Sequence, residues 1–150
     1  MKSCRVIVNV EAAIFKDGCY LLVIRGEKED HAPGTLALVG GKVELREDPH
    51  QHDILENTLR REILEEVVIE IEDEMQYIES ASFLTDSGEP AVDIVFLCKY
   101  QSGIPCIGDK EEVAGLHWMA PEDILESANM PEWTRGSIEK AEKKRIELGW

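Results

Sequence analysis

Two apolar segments at the start of the chain have the composition of β-strands. Residues 4–15 and residues 19–26 are rich in β-branched and other apolar side chains, as strands are. Between them stands Lys16-Asp17-Gly18, and its glycine readily adopts the positive φ of a tight hairpin turn. The pattern therefore predicts a β-hairpin.

A helical period runs from about Ile54 to Val67. This segment has no glycine or proline and is rich in helix-forming residues. Its apolar residues recur every four positions and share one face; they are Leu55, Leu59, Ile63 and Val67. The pattern predicts an amphipathic helix. Two residues are candidate N-caps for this helix. They are Asp48, which is followed by Pro49, and Asp53.

Shorter apolar segments in the rest of the chain predict further strands. A polar loop at residues 26–35 precedes the first of them, and a turn at residues 86–90 separates two others. The predicted strands are residues 36–39, 68–71, 77–84, 92–100 and 113–119. Residues 92–100 form the most continuous apolar segment, so we expect this strand to lie inside the sheet.

Two prolines mark the starts of the last helices. Pro121 precedes a short helical segment, and Pro131 precedes an amphipathic one that continues through Leu148. Strands and helices in this order are typical of an α/β fold, a mixed β-sheet with helices on its faces. We find no internal repeat or linker, and we expect a single domain over residues 1–150.

Composition agrees with an ordinary globular protein. The chain has 150 residues, of which 43% are hydrophobic, and no apolar run approaches the roughly 18 residues of a membrane span. The first residues do not resemble a signal peptide, and the four cysteines lack the spacing of a zinc site. We therefore expect a cytoplasmic protein with reduced cysteines and no membrane partner.

The net charge of −15 is concentrated in the middle of the chain. Residues 47–132 contain 22 acidic and 4 basic residues. Such a segment repels a nucleic-acid backbone, which binds through Lys and Arg. Long nucleic acid is therefore a poor candidate partner, and a divalent cation is a good one.

Three glutamates stand close together on the predicted helix. Glu62, Glu65 and Glu66 have the spacing i, i+3 and i+4 and so span an arc of about 100°. Like charges at this spacing destabilise a helix unless a cation lies between them, and a hard divalent cation binds several carboxylate oxygens. The alternative for this sequence alone is a solvated acidic face.

A double glycine, Gly40-Gly41, stands upstream of the glutamates and is followed by Lys42. Together, these segments resemble the Nudix box, G-x5-E-x7-R-E-U-x-E-E-x-G-U, in which U is apolar. The match consists of Gly41, Glu47 and residues 61–69. The predicted hairpin and the later strand with Trp118 stand where this family has them. The resemblance implies a Nudix-type α/β/α sandwich with a mixed β-sheet.

The chain departs from the Nudix box in three places. Thirteen residues separate Glu47 from Arg61 where the family has seven, an insertion of six residues, and we expect it to affect substrate access more than catalysis. Val68 replaces the glycine that ends the family's helix in a left-handed conformation. Because a β-branched residue is strained there, we expect this helix to end differently. The third departure is at Leu36 and Val39, where the family usually has Trp and Pro.

The resemblance implies roles for individual residues. Mg²⁺ or Mn²⁺ is expected to bind Glu62, Glu65 and Glu66 together with the carbonyl of Gly40, and Glu62 is also a candidate general base. Arg61 is expected to pair with Glu47. The candidate substrate-binding residues are Lys42, Gly41 and Trp118. Trp118 has core packing as its alternative, and Glu112 is a further candidate metal ligand or base with an exposed loop position as its alternative.

The function implied is metal-dependent hydrolysis of a diphosphate linkage in a nucleoside diphosphate linked to some group X. The substrate is then a small nucleotide, either a nucleoside triphosphate or a nucleotide derivative, and the chain is a pyrophosphohydrolase. A nucleotide-binding regulator with weak catalysis and an acidic interaction module stay as alternatives, and turnover with Mg²⁺ would distinguish them. The sequence leaves the assembly state undetermined, and a homodimer is one candidate.

Overall fold

The computed structural model describes residues 5–29, 32–46 and 48–150. The strands are β1 (Ile7–Lys16), β2 (Cys19–Arg25), β3 (Leu36–Ala37), β4 (Val39–Lys42), β5 (Glu70–Leu84), β6 (Pro90–Ser102) and β7 (Val113–Met119). The helices are α1 (Ile54–Val67), α2 (Pro121–Glu126) and α3 (Glu132–Leu148). None of the helices in the described residues is both long enough and apolar enough to cross a membrane.

The sheet is mixed, as the sequence predicted. Its strands follow the order β3-β2-β1-β6-β5, with β4 paired to β1 and β7 paired to β2. Strands β1 and β6 run parallel, whereas the other pairs are antiparallel. The predicted hairpin is present as β1 and β2, and its two turn residues, Asp17 and Gly18, have positive φ. The strand predicted at residues 92–100 lies between two others, inside the sheet, as expected.

Helices pack on both faces of the sheet, which gives the α/β/α sandwich. Side chains alternate between the faces along β1, so that Val10 and Ala12 contact α1 residues, whereas Ala13 belongs to the cluster around α2 and α3. On the first face, the helix stripe of Leu59, Ile63 and Val67 is fully buried. The spacing of four residues thus correctly identified the buried side of α1.

Three strand predictions need correction. Residues 36–39 do not form one strand: β3 pairs with β2, and β4 begins at Val39 and pairs with β1. Gly40 and Gly41 therefore lie within a strand. Residues 68–71 and 77–84 do not form two separate strands, because β5 runs continuously from Glu70 to Leu84. Its pairing with β6 contains register shifts.

The start of α1 agrees with one of the two predicted N-caps, whereas its end differs from expectation. The helix begins after Asp53, which is left-handed with φ of 51° and makes no side-chain capping hydrogen bond within the described part of the chain. Asp48 instead accepts a hydrogen bond from the His50 backbone N–H at 2.8 Å, in a turn ahead of the helix. At the other end, the expectation that the helix would avoid a left-handed valine is wrong. Val68 has φ of 59° and ends the helix.

Candidate functional site

Three carboxylates from two parts of the chain meet beside the end of α1. The possible ligand oxygens of Glu62, Glu66 and Glu112 all lie within 4.8 Å of one another. Glu66 is buried, Glu62 is half-buried and Glu112 is exposed. Glu62 and Glu66 stand one helical turn apart on α1, whereas Glu112 immediately precedes β7.

The loop before β7 reaches this position because it binds the end of α1. The N–H of Cys106 donates to the carbonyl of Val67 at 3.1 Å, and the N–H of Gly108 donates to the carbonyl of Glu66 at 2.8 Å. These bonds satisfy carbonyls that a helix end leaves without an intrahelical partner. The carbonyl of Glu112 then accepts a hydrogen bond from Gly26 at 2.9 Å. The loop is therefore held on both sides, and Glu112 is positioned next to Glu66.

The proximity of the carboxylates makes the cluster electrostatically unfavourable when it is fully charged. Burial and hydrogen bonding to Glu112 raise the pKa of Glu66 to about 10. Burial also raises the pKa of Glu62, although the Arg61 guanidinium acts in the opposite direction. A proton or a cation must therefore reside in this cluster. Hard oxygen donors grouped in this way fit a divalent metal ion such as Mg²⁺.

Arg61 and Glu65 lie beside the cluster. The Arg61 Nη2 donates to Glu62 Oε1 at 3.1 Å, and its Nε lies 3.9 Å from Glu65 Oε1. The Glu65 side chain is 51% exposed, and the structure does not place it among the three clustered carboxylates. The predicted pairing of Arg61 with Glu47 involves a residue outside the described part of the chain.

The double glycine of β4 allows the strand to approach both β1 and α1. A Cβ atom on Gly41 would lie 2.4 Å from Cδ of Glu62. A Cβ atom on Gly40 would lie 2.0 Å from the carbonyl oxygen of Val10 in β1. Lys42 follows at the exposed end of the strand, opposite Asn9 of β1. The sequence match thus corresponds to a real contact between β4 and the Glu62 carboxylate.

Comparison with known families gives the same assignment. The NUDIX domain model matches residues 6–141. The chain belongs to the NUDIX domain family. Among solved structures, a MutT NUDIX hydrolase from Burkholderia pseudomallei is 29% identical with a TM-score of 0.74, and the match covers 91% of this chain and 98% of that one. A search of curated proteins gave no match.

Two more distant structures share the Nudix fold. A MutT protein from Methanosarcina mazei Go1 is 23% identical with a TM-score of 0.75, covering 97% of this chain and 99% of that one. The NUDIX domain of Shewanella oneidensis NrtR, solved with ADP ribose, is 18% identical with a TM-score of 0.72, covering 96% of this chain and 90% of that one. At these identities the likeness concerns the fold alone.

Trp118 of this Nudix domain occupies a packed position in the sheet. It is half-buried in β7 and packs against the core on the α1 face. Its ring meets Tyr100 edge-to-face at 6.1 Å, and Lys16 Nζ lies 5.7 Å from the ring centroid. Trp118 does not line the cavity on the α3 face or the cavity beside the first turns of α1. The contacts of Trp118 are therefore those of a residue packed against the core, as the alternative interpretation expected.

A cavity on the α3 face of the sheet has no counterpart among the sequence predictions. It has a volume of about 240 Å³, and its lining includes Glu11, Leu38, Asp93, Val95, Trp133 and Ser137. Glu11 and Asp93 occupy register positions two apart on the parallel strands β1 and β6, and their side chains hydrogen-bond. Burial, the bond to Asp93 and the charge of Glu66 raise the pKa of Glu11 well above its usual range.

This acidic pair interrupts the apolar pattern of two strands. Glu11 and Asp93 each interrupt an otherwise apolar strand, and a charged residue within a core strand is uncommon unless it has a partner. The charge of Glu66 contributes to the raised pKa of Glu11, although α1 packs on the other face of the sheet from this cavity.

Proposed function

We propose that this Nudix domain is a metal-dependent pyrophosphohydrolase that cleaves the diphosphate linkage of a nucleoside diphosphate joined to a group X. The observation that supports this most directly is the approach of Glu62, Glu66 and Glu112 to within 4.8 Å. Like-charged, partly buried carboxylates at this distance need a compensating proton or cation, and a cation would also neutralise the charge of a diphosphate substrate.

Glu62, Glu66 and Glu112 would hold Mg²⁺ or Mn²⁺, with Glu65 and the carbonyl of Gly40 proposed as additional ligands from the sequence. The metal, when bound, supplies charge neutralisation of the diphosphate and a lower pKa for a water molecule. Lys42, at the exposed end of β4, is suited to contact a phosphate oxygen.

Glu62 is the proposed general base. Its side chain is half-buried within the carboxylate cluster, and a carboxylate next to the attacking water can accept its proton. Glu62 takes a proton from water while the water oxygen forms a bond to one phosphorus atom. The bridging P–O bond breaks, and the products are a nucleoside monophosphate and a phosphate ester of X. Arg61 positions Glu62 through the 3.1 Å hydrogen bond.

The cavity on the α3 face is the proposed nucleoside site. The Trp133 side chain at its edge is 56% exposed, and exposed aromatic rings stack well on nucleobases.

The cytoplasmic location and the homodimer stay predictions of the sequence.

The experiment is a hydrolysis assay over nucleoside triphosphates, nucleotide sugars, ADP-ribose, dinucleotides and coenzyme A, with and without Mg²⁺ or Mn²⁺. We expect turnover of at least one class, dependent on metal. Glu66→Gln removes a charged ligand with little change of shape and should lower kcat by at least about 100-fold.

Glu139→Gln is the matched control, because Glu139 is an exposed glutamate on α3. It should keep the wild-type rate. Wild-type turnover by Glu66→Gln at limiting Mg²⁺ would contradict the assignment of Glu66. Metal-dependent binding of a nucleotide without any turnover would favour a regulator instead.

A further inference from the structure

Strand β5 forms one edge of the sheet. It pairs with β6, and among the described strands none pairs with its other side. An edge strand presents a row of unpaired backbone N–H and C=O groups, which can pair with another strand unless charges, irregular pairing or a covering segment prevent it. The two halves of β5 differ in this protection.

The first half of β5 is protected in three ways. Residues 70–74 contain four acidic side chains. The Arg60 guanidinium of α1 donates to the backbone carbonyls of Glu72 at 3.3 Å and Asp73 at 2.8 Å. The register shifts between β5 and β6 all fall within residues 70–79. Charge, occupied carbonyls and irregular pairing together make this half a poor partner for a further strand.

The second half of β5 lacks these devices. Residues 80–84, Ser-Ala-Ser-Phe-Leu, have no charge, no proline and no glycine, and they pair with β6 in regular register. We call this segment the free edge. The preceding residue, Glu79, is charged, but it forms an ion pair with Lys140 of α3. Three successive residues of the free edge, Ser80, Ala81 and Ser82, are exposed, so α3 does not cover it.

The pairing pattern shows which backbone groups of the free edge point away from β6. Thr85 N–H donates to the carbonyl of Glu89 at 2.9 Å, so this pair is of the hydrogen-bonded type. The next pair, Leu84 with Pro90, is then of the other type, in agreement with the missing N–H of proline. Because the two types alternate, Ser80, Ser82 and Leu84 direct their N–H and C=O groups outward.

Large apolar side chains lie at the two ends of the free edge. Tyr77 is 57% exposed and Leu84 is 66% exposed. Tyr77 packs edge-to-face on Phe96 of the α1-face core at 6.4 Å, and its hydroxyl donates to Ser80 Oγ at 3.1 Å. Ser80 and Leu84 are four residues apart on a regular strand and share a face. Tyr77 and Leu84 therefore both lie on the α1 face of the sheet.

We propose that the free edge of β5 pairs with the free edge of a second copy of this chain, antiparallel and about a two-fold axis at Ser82. Ser82 then lies opposite Ser82 of the partner subunit, and Ser80 lies opposite Leu84 of the partner subunit. This register uses the outward N–H and C=O groups of all three residues in each copy. The two sheets join into one continuous sheet.

A second copy fits this edge better than a charged partner. The uncharged side chains of residues 80–84 offer no ion pair to a basic or acidic peptide. An antiparallel pairing of two copies brings the exposed Leu84 of each beside the exposed Tyr77 of the other, on the same face, and so buries apolar surface at both ends. The free edge is therefore self-complementary in its backbone groups and in its apolar side chains.

The size and charge of this contact determine the expected affinity. Permanent dimers commonly bury more than about 2,000 Å², whereas this contact involves one short strand segment and its flanking side chains. We expect a reversible dimer with a micromolar dissociation constant. Each copy carries a net charge of −15, and salt screens the repulsion between the copies. Raising NaCl from about 50 mM to about 500 mM should therefore strengthen the dimer.

Sedimentation equilibrium of the full chain tests the register through Ser82. A residue on the two-fold axis meets its own copy, so Ser82→Lys places two like charges opposite each other and should raise the dissociation constant at least about tenfold. Ser82→Glu should do the same, whereas an equimolar mixture of the two variants should restore dimers. Ser102→Lys is the matched control, since Ser102 is an exposed serine at the end of β6. It makes the same change of net charge and should dimerise like the wild type.

Two sedimentation results would contradict the proposal. One is a wild-type chain that stays monomeric at about 1 mM in about 500 mM NaCl. The other is a folded Ser82→Lys variant that dimerises like Ser102→Lys. Failure of the mixture to dimerise, with both single variants folded by circular dichroism, would overturn the axis at Ser82.

Amide hydrogen exchange measures the edge without any substitution. The outward N–H groups of Ser80, Ser82 and Leu84 should exchange rapidly in dilute protein and slowly in concentrated protein. Those of Ala81 and Phe83, which point toward β6, should be protected in both and serve as the internal control. Protection of the outward groups in dilute protein would mean that another part of the chain covers the edge. Rapid exchange in a sample that is dimeric would place the interface elsewhere. Either result would overturn the proposal.

Discussion

Val68 ends α1 in a conformation that valine rarely adopts. Its φ is 59°, and a left-handed backbone costs an L-residue roughly 1–2 kcal/mol. The structure holds it there because Cys106 and Gly108 bind the last carbonyls of the helix, so the chain must turn at this point. A β-branched residue persists at a strained position only where its surroundings determine the conformation.

Val68→Gly should therefore stabilise the protein. Relief of the strain exceeds the added entropy of glycine in the unfolded chain, about 0.5–1 kcal/mol, and the net gain should reach up to about 1 kcal/mol. For a chain of this size that corresponds to a rise in Tm of about 2–4 °C. Thermal melts measure it, with Val6→Gly as the control. Val6 is 44% exposed, similar to Val68 at 41%, and its replacement should lower the Tm or leave it unchanged. A lower Tm for Val68→Gly would show that the valine contacts outweigh the strain.

The candidate site was partly predictable from single residues. The spacing of Glu62 and Glu66 places them on one side of a helix, and the structure brings their carboxylates together. The same spacing put Glu65 with them, yet its side chain is half exposed, because an arc of about 100° on a helix is wider than one ligand site. For Glu112 the sequence favoured an exposed loop position over a metal ligand, and the structure shows it exposed and also next to Glu62 and Glu66. Its place beside Glu66 depends on the contacts of Cys106 and Gly108 with α1, which no local pattern encodes.

The two glycines of β4 have different roles, since one lies in the packing of the sheet and the other lies next to the candidate site. Gly40 faces the backbone of β1, whereas Gly41 faces the Glu62 side chain of α1. A backbone carbonyl in a sheet cannot move without loss of pairing, but a glutamate side chain can rotate away. Equal substitutions in one strand should therefore have different effects.

Gly40→Ala should lower the free energy of unfolding by about 2 kcal/mol or more, through overpacking against Val10. Gly41→Ala should change stability by less than about 1 kcal/mol and lower kcat/KM at least about tenfold, because it displaces Glu62 from its position. Denaturant unfolding and steady-state kinetics on both variants measure the two effects. The reverse ranking, with Gly41→Ala active and unstable, would contradict the proposed contact.

Helix α3 is fastened to β2 through a partly buried network. The Tyr20 hydroxyl of β2 donates to Glu142 Oε1 at 2.7 Å, and Arg145 Nε donates to the same carboxylate at 2.5 Å. Chiefly through the Arg145 bond, the pKa of Glu142 is lowered from its usual value. A carboxylate with a lowered pKa stabilises the folded state at pH values above its unfolded pKa, and this contribution is lost as the pH falls through the folded-state pKa.

Glu142→Gln should consequently destabilise the protein in a pH-dependent way. At about pH 7 the loss should be about 1–2 kcal/mol, typical of a hydrogen bond to a charged group. The difference from wild type should shrink as the pH falls below about 4.3, the usual pKa of a glutamate. Urea unfolding at a series of pH values measures it, and Glu147→Gln, an exposed glutamate on the same helix, is the control. A difference that does not depend on pH would mean that Glu142 acts through packing alone.

For the whole molecule, the apolar pattern predicted which segments are strands and helices better than how they pair. The helix stripe of α1 and the hairpin are local features, and both were predicted correctly. The parallel pairing of β1 with β6 joins Ile7 to Ala91, and this pairing depends on the path of the chain between them. The split between β3 and β4 has a similar cause, since each pairs with a different strand of the hairpin. Where these strands begin and end therefore depends on the strands with which they pair, and less on their own residues.

The net charge of −15 makes the stability of the molecule depend on ions in two ways. Any salt screens the general repulsion among exposed carboxylates. A divalent cation that binds at Glu62, Glu66 and Glu112 adds a specific contribution, because it binds the folded state and not the unfolded one. The first contribution is the same for any salt of equal ionic strength. The second requires a divalent cation and the clustered glutamates.

Millimolar MgCl₂ should therefore raise the Tm above that in NaCl at equal ionic strength. At a concentration ten times the dissociation constant, binding adds about 1.4 kcal/mol, or about 3–6 °C at this chain length. In Glu66→Gln the extra rise should largely disappear, because one clustered ligand has lost its charge, whereas Glu139→Gln should keep it. The NaCl effect should be nearly the same in all three proteins, since it arises from the whole surface. Equal melting temperatures in the two salts for an active wild-type sample would mean that the carboxylate cluster does not bind the metal in the folded protein without substrate.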